Sequence, residues 1–206
     1  MKKIAFVFVL SILTLFVVLS FSFFVLGFAF PKTTKNTISE EYHLLWKTEV
    51  NKPQTKNACG SYSSMAYLFE KNGIIEDPEN IKSVIPNKMK NGYVYPWGIR
   101  KYLASHDVKT KIYYFGLMKD TDKSEWIKGR LLKNEPVILI VGNNRYLHYV
   151  TVLGYSKNGF YVYDSNVSSD ENELIEGNRT FIEKDLFSWW KSAEFKTMKI
   201  NLAISG

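Results

Sequence analysis

Three apolar runs stand close together in the second half of the chain: PVILIVG (residues 136–142), HYVTVLGY (residues 148–155) and FYVYD (residues 160–164). Each is short, rich in β-branched and aromatic residues and bounded by turn-forming residues, so each reads as a strand. SKNG between the last two is a hairpin turn, which makes those strands antiparallel neighbours. MKINLAIS (residues 198–205) reads as a further strand that closes the sheet. The first half has a different rhythm. Ser61-Tyr62-Ser63-Ser64 followed by Met65, Ala66, Leu68 and Phe69, with Gly73 as a stop, predicts a capped amphipathic helix of about three turns. Further helices are expected over residues 78–84, from Pro96 through Leu103, over 122–132 and over 182–191, and a short strand over 111–115. Helices first and an antiparallel sheet afterwards predict an α+β domain.

Residues 4–30 carry no charge. A secretory apolar core is about 7–15 residues and a spanning helix needs about 20, so this stretch predicts a membrane anchor, a long cleavable signal being the alternative. The expected organisation is an anchor or signal over 1–31, a polar stalk over 32–39 (KTTKNTIS) and one domain over 40–206. Lys2 and Lys3 before the stretch predict a single-pass protein of the cell membrane with its domain outside the cytoplasm. Without Lys2 and Lys3 the chain keeps 25 basic against 20 acidic residues, a surplus of +5 that suits an anionic membrane or wall surface. No basic cluster interleaved with aromatics points to nucleic acid.

A single cysteine among 206 residues excludes an internal disulfide, and three scattered histidines lack metal-ligand spacing. A free cysteine is most often a small buried hydrophobe. Cys59, however, sits at the N-terminal edge of a predicted helix, where the helix dipole favours thiolate. A nucleophile needs a base and a group that orients the base. His148 opens one strand of the hairpin and Asp164 ends the other, with Asn166 as the runner-up orienting residue. An ideal hairpin register, pairing Tyr155 with Phe160, sets Thr151 opposite Asp164 and leaves His148 three residues, roughly 10 Å, away on the opposite face. A bulge or a different turn is needed to bring the two together.

QTKNACGSYSSMAYLF, followed about ninety residues later by LHYVTVLGYSKNGFYVYDSN, resembles the papain-like cysteine peptidases, most closely the bacteriocin-processing, double-glycine leader peptidase-like group. The resemblance runs from about Val50 to Ser205. It implies a papain-like fold with Cys59 as nucleophile, His148 as base and acid, Asp164 as orienting carboxylate and Gln54 as oxyanion donor. Gly60, Trp97 and Tyr149 are the expected substrate contacts, GYVYPWGIRKYL resembling the helix beside the family's cleft. Tyr95, Trp189 and Trp190 are further aromatics that line a cleft or fill the core. No cofactor is implied. The expected partners are a peptide or protein substrate, the membrane and a separate exporter. The chain departs from the group in carrying Ser61 after Cys-Gly and no phosphate-binding G-x-x-x-x-G-K-[ST] loop. Two other readings stand beside peptide hydrolysis: amide transfer or cell-wall amide cleavage on the same residues, and a non-catalytic peptide-binding accessory protein.

Overall fold

The computed structural model describes five positions between 11 and 17 and residues 27–32, 39–44, 50–116, 118–143, 146–167, 177–195 and 198–206. The element at its centre is α1 (Cys59–Asn72), buried from Cys59 through Glu70. Gly73 ends it in the left-handed region, at φ 67°, and donates its N–H to the Phe69 carbonyl, a cap that favours glycine. Around it stand α2 (Pro78–Val84) and α3 (Pro96–Ala104), each opened by a proline whose missing N–H costs nothing there. Asp77 caps α2 by accepting the Glu79 N–H at 3.2 Å.

Among the described residues the strands are β1 (Phe28–Ala29), β2 (Tyr42–His43), β3 (Lys111–Tyr114), β4 (Val137–Asn143), β5 (Tyr146–Ser156), β6 (Gly159–Tyr163), β7 (Arg179–Phe181), β8 (Glu194–Phe195), β9 (Met198–Lys199) and β10 (Leu202–Ser205). The main sheet runs β1-β3-β10-β4-β5-β6-β7, with β2 pairing β5. Only β1 with β3 is parallel among these pairs. The helices α4 (Asp120–Leu131) and α5 (Glu183–Lys191) complete the α+β architecture. Residues 198–205 do not form one closing strand. They split into β9, paired with β8, and β10, which lies between β3 and β4 in the middle of the sheet. Core aromatics join the layers: Trp190 is fully buried, its indole N–H donating to the Leu202 carbonyl at 3.1 Å, with Phe115 edge-on to it.

The β5–β6 hairpin departs from the ideal register at one residue. Tyr155 pairs with Phe160 as expected, but the register shifts between Val152 and Gly154, so Thr151 faces Tyr163. Leu153 is the extra residue of a β-bulge. Continued by one residue, this register puts Val150 opposite Asp164, two positions from His148. An even offset keeps both side chains on one face, where an odd one separates them.

The membrane reading is corrected. The expected span falls mostly outside the described residues, and among the described residues no helix is long and apolar enough to cross a membrane. Its expected C-terminal end is a sheet strand: Phe28 pairs with Ile112 and Ala29 with Tyr113. Backbone groups bonded to a neighbouring strand of the domain are not those of a spanning helix, so the single-pass placement and the orientation built on it are withdrawn. Most of the expected stalk, residues 33–38, lies outside the described residues.

Candidate active site

Cys59 is the first residue of α1, 3% exposed, at the positive end of a 14-residue helix. As a first helical residue it has a backbone N–H with no acceptor inside the helix. His148 reaches it from β5 and hydrogen-bonds its side chain. The imidazole Nε2 is held at 2.7 Å by Asp164 Oδ1, which leaves Nδ1 for Cys59. Both members of the His–Asp pair are buried. Burial by itself disfavours a charged imidazole, but hydrogen bonds to Asp164 and Cys59 and the electrostatic pull of these neighbours outweigh it. They hold His148 up at about 9, against 6.5 for an ordinary histidine. Burial likewise works against the Asp164 carboxylate, and its bond to His148 overcomes it, so the carboxyl stays below the usual range.

Asp164 is fixed from several sides. Its Oδ1 also accepts the Asn166 N–H at 3.0 Å, and its Oδ2 meets Arg179 Nη1 at 3.0 Å. Its backbone is clasped by the buried Asn178, whose amide accepts from the Asp164 N–H and donates to the Asp164 carbonyl. Asp164, and not Asn166, therefore bonds His148; Asn166 contributes its backbone N–H from an exposed position. Sequence reasoning missed Asn178 and Arg179, which follow a stretch without periodicity and carry no motif.

Gln54 lies in the loop before Cys59 and is docked on Ser165, the residue after Asp164. Its N–H donates to the Ser165 carbonyl at 2.6 Å, and its Oε1 accepts the Ser165 hydroxyl at 2.8 Å. The amide oxygen is thereby occupied, and the donor end of this side chain is its Nε2. Ser165 was also missed, although it adjoins a residue already singled out.

The expected substrate contacts sit differently. Gly60 and Tyr149 are buried beneath the site and not open to solvent. A Cβ on Gly60 would lie 3.1 Å from Val94 Cβ, and Tyr149 donates its hydroxyl to the Val94 carbonyl at 2.8 Å. Both therefore anchor the segment leading to Tyr95 and Trp97, whose rings stack at 4.6 Å and remain partly exposed. Trp189 stands beside His148 with ring centres 6.1 Å apart, backed by Phe181 at 5.4 Å. Trp190 belongs to the core. Among the described residues no group of three His, Cys, Asp or Glu side chains could hold a metal ion.

No family model and no curated protein matches this sequence. Solved structures do. One described as a C39-like peptidase from Bacillus anthracis superimposes with a TM-score of 0.56 at 14% identity, covering 81% of this chain and 97% of that one. The peptidase domain of Streptococcus ComA, a bifunctional ABC transporter involved in quorum sensing, gives a TM-score of 0.50 at 16% identity, covering 79% and 96%. The chain has the C39-like, papain-type peptidase fold. In that fold the described site joins the start of the buried helix to the bulged hairpin of the sheet.

Proposed function

We propose that the protein is a cysteine peptidase that cleaves a peptide bond through Cys59, His148 and Asp164. The observation that carries this reading is the buried His148–Asp164 hydrogen bond directed at a cysteine on the first residue of a helix. The Cys59 thiolate attacks the scissile carbonyl carbon, and the carbonyl electron pair moves onto its oxygen. Gln54 Nε2 and the Cys59 backbone N–H stabilise that oxyanion. His148, as imidazolium, protonates the departing amine while the acyl-enzyme forms. Neutral His148 then takes a proton from water, the hydroxide attacks the thioester, and the carboxylic acid product leaves as Cys59 regains its thiolate. Asp164 keeps the imidazole in the required orientation throughout. The substrate is a peptide or protein. The likeness in fold to the ComA domain makes a separate exporter a partner to look for.

Two measurements test this. Cys59→Ala should abolish turnover of a fluorogenic peptide mixture, and wild-type turnover by that variant would end the proposal. Iodoacetamide should label wild-type Cys59 faster than Cys59 in His148→Ala, because the thiolate depends on its imidazolium partner.

A further inference from the structure

The loop between Gln54 and Cys59 has little structure of its own. Its backbone makes one internal hydrogen bond, Ala58 N–H to the Thr55 carbonyl at 3.3 Å, and Asn57 sits at φ 59°, a region few non-glycine residues occupy. Such a loop keeps its shape only if neighbours hold it. On the sheet side Ser165 holds Gln54. On the helical side Asn57 Nδ2 donates to the Asn91 carbonyl at 2.7 Å, and the remaining side-chain ties converge on α2. Thr55 Oγ1 donates to Glu79 Oε1 at 2.6 Å, and the Tyr62 hydroxyl, from the first turn of α1, donates to the same oxygen at 3.4 Å. Lys82 Nζ donates to Thr55 Oγ1 at 2.9 Å, to the Lys56 carbonyl at 3.1 Å and to Glu79 Oε2 at 3.4 Å.

Resting on the reading of Gln54 as oxyanion donor, we propose that Glu79, with Lys82, is a positioning residue that sets where Gln54 stands relative to Cys59. One carboxylate oxygen joins the loop before the nucleophile to the helix after it. The pair is 40% and 27% exposed, and exposed ion pairs contribute little to global stability. Its effect is therefore local. Misplacing a donor weakens the transition state more than the ground state, which lowers kcat and leaves KM nearly unchanged.

The test is a double-mutant cycle on full-length protein with a fluorogenic peptide mixture, reading kcat, KM and Tm. Glu79→Ala should lower kcat about 10-fold, a fraction of the 10²–10³ typical for losing the donor itself. It should move Tm by no more than about 4 °C, as a loss under about 1 kcal/mol does in a chain of this size. In a Gln54→Ala background the same substitution should cost nothing more, because the donor it positions is gone. Glu79→Gln, which keeps an oxygen for Thr55, should recover most of the loss. Wild-type kcat in Glu79→Ala, or an undiminished loss in the Gln54→Ala background, overturns the proposal. Iodoacetamide labelling of Cys59 separates this failure from that of the peptidase reading, since alkylation uses no oxyanion donor and should be unchanged in Glu79→Ala. Labelling of wild type that ignores His148 overturns the nucleophile reading and this proposal together. Preserved, His148-dependent labelling with an additive cycle overturns the positioning role alone.

Discussion

At the scale of single residues, charge decides what His148 does. With its proton held up to about 9, the imidazolium is present across neutral pH and is lost as pH rises through that value. Turnover that needs it as an acid should therefore fall above about pH 9, and kcat/KM measured against pH should show that alkaline limb. A limb near 6.5 would mean that Asp164 and Cys59 do not hold the proton. The same raised value links His148 to folding. Its contribution is complete below the unfolded value of 6.5 and is lost as pH rises towards 9, so urea midpoints should decline across that window and decline less in Asp164→Asn. In the proposed mechanism Gln54 acts through a neutral dipole as one of two donors to the oxyanion, so in Gln54→Ala kcat should fall by about 10²–10³ while some activity remains. Complete loss of turnover, or none, would remove Gln54 from that role.

At the scale of elements, the helices were legible where a local rule sets a boundary. Pro78 and Pro96 open α2 and α3, and Gly73 closes α1, each through its own backbone chemistry. The strand runs were legible too, and so was the resemblance around Cys59 and His148. What escaped depends on partners distant in sequence. The need for a bulge or a different turn was legible from the offset, but not that a bulge at Leu153 would turn an odd offset between His148 and Asp164 into an even one. The place of β10 between β3 and β4 follows from packing, and the Asn178 clasp on Asp164 follows from a return of the chain. The segment beside the site offers a test of such packing. A Cβ on Gly98 would lie 2.3 Å from the Pro86 carbonyl oxygen and 2.9 Å from Val94 Cγ1. Backbone cannot yield as a flexible side chain does, so Gly98→Ala should destabilise the protein by about 1–3 kcal/mol, read as a lowered Tm. Because α3 carries Trp97 and Val94 anchors Tyr149, KM should rise as well. An unchanged Tm would show that α3 shifts freely.

At the scale of the whole molecule, the site is shared between the two halves of the chain. Cys59 comes from the helical half, His148 and Asp164 come from β5 and the end of β6, and the loop with Gln54 bridges them. The opposite edge of the sheet is β1, separated from β5 by β3, β10 and β4. Phe28 and Ala29 pack against the core from that edge and so contribute burial there. Removing residues 1–32, which spares the Ser39 hydroxyl bonded to Tyr155 of β5, should therefore separate stability from chemistry. Losing the partly buried Phe28 and the β1–β3 bonds should cost about 2–4 kcal/mol, measurable as a lower urea midpoint. Turnover by the fraction that remains folded should stay within about 3-fold of the full chain, since three strands stand between β1 and β5 and distant sites act nearly independently. A truncated chain that stays folded but cannot turn over substrate would show that the N-terminal strand reaches the active site through β3, β10 and β4, and the separation argued from strand order would fail.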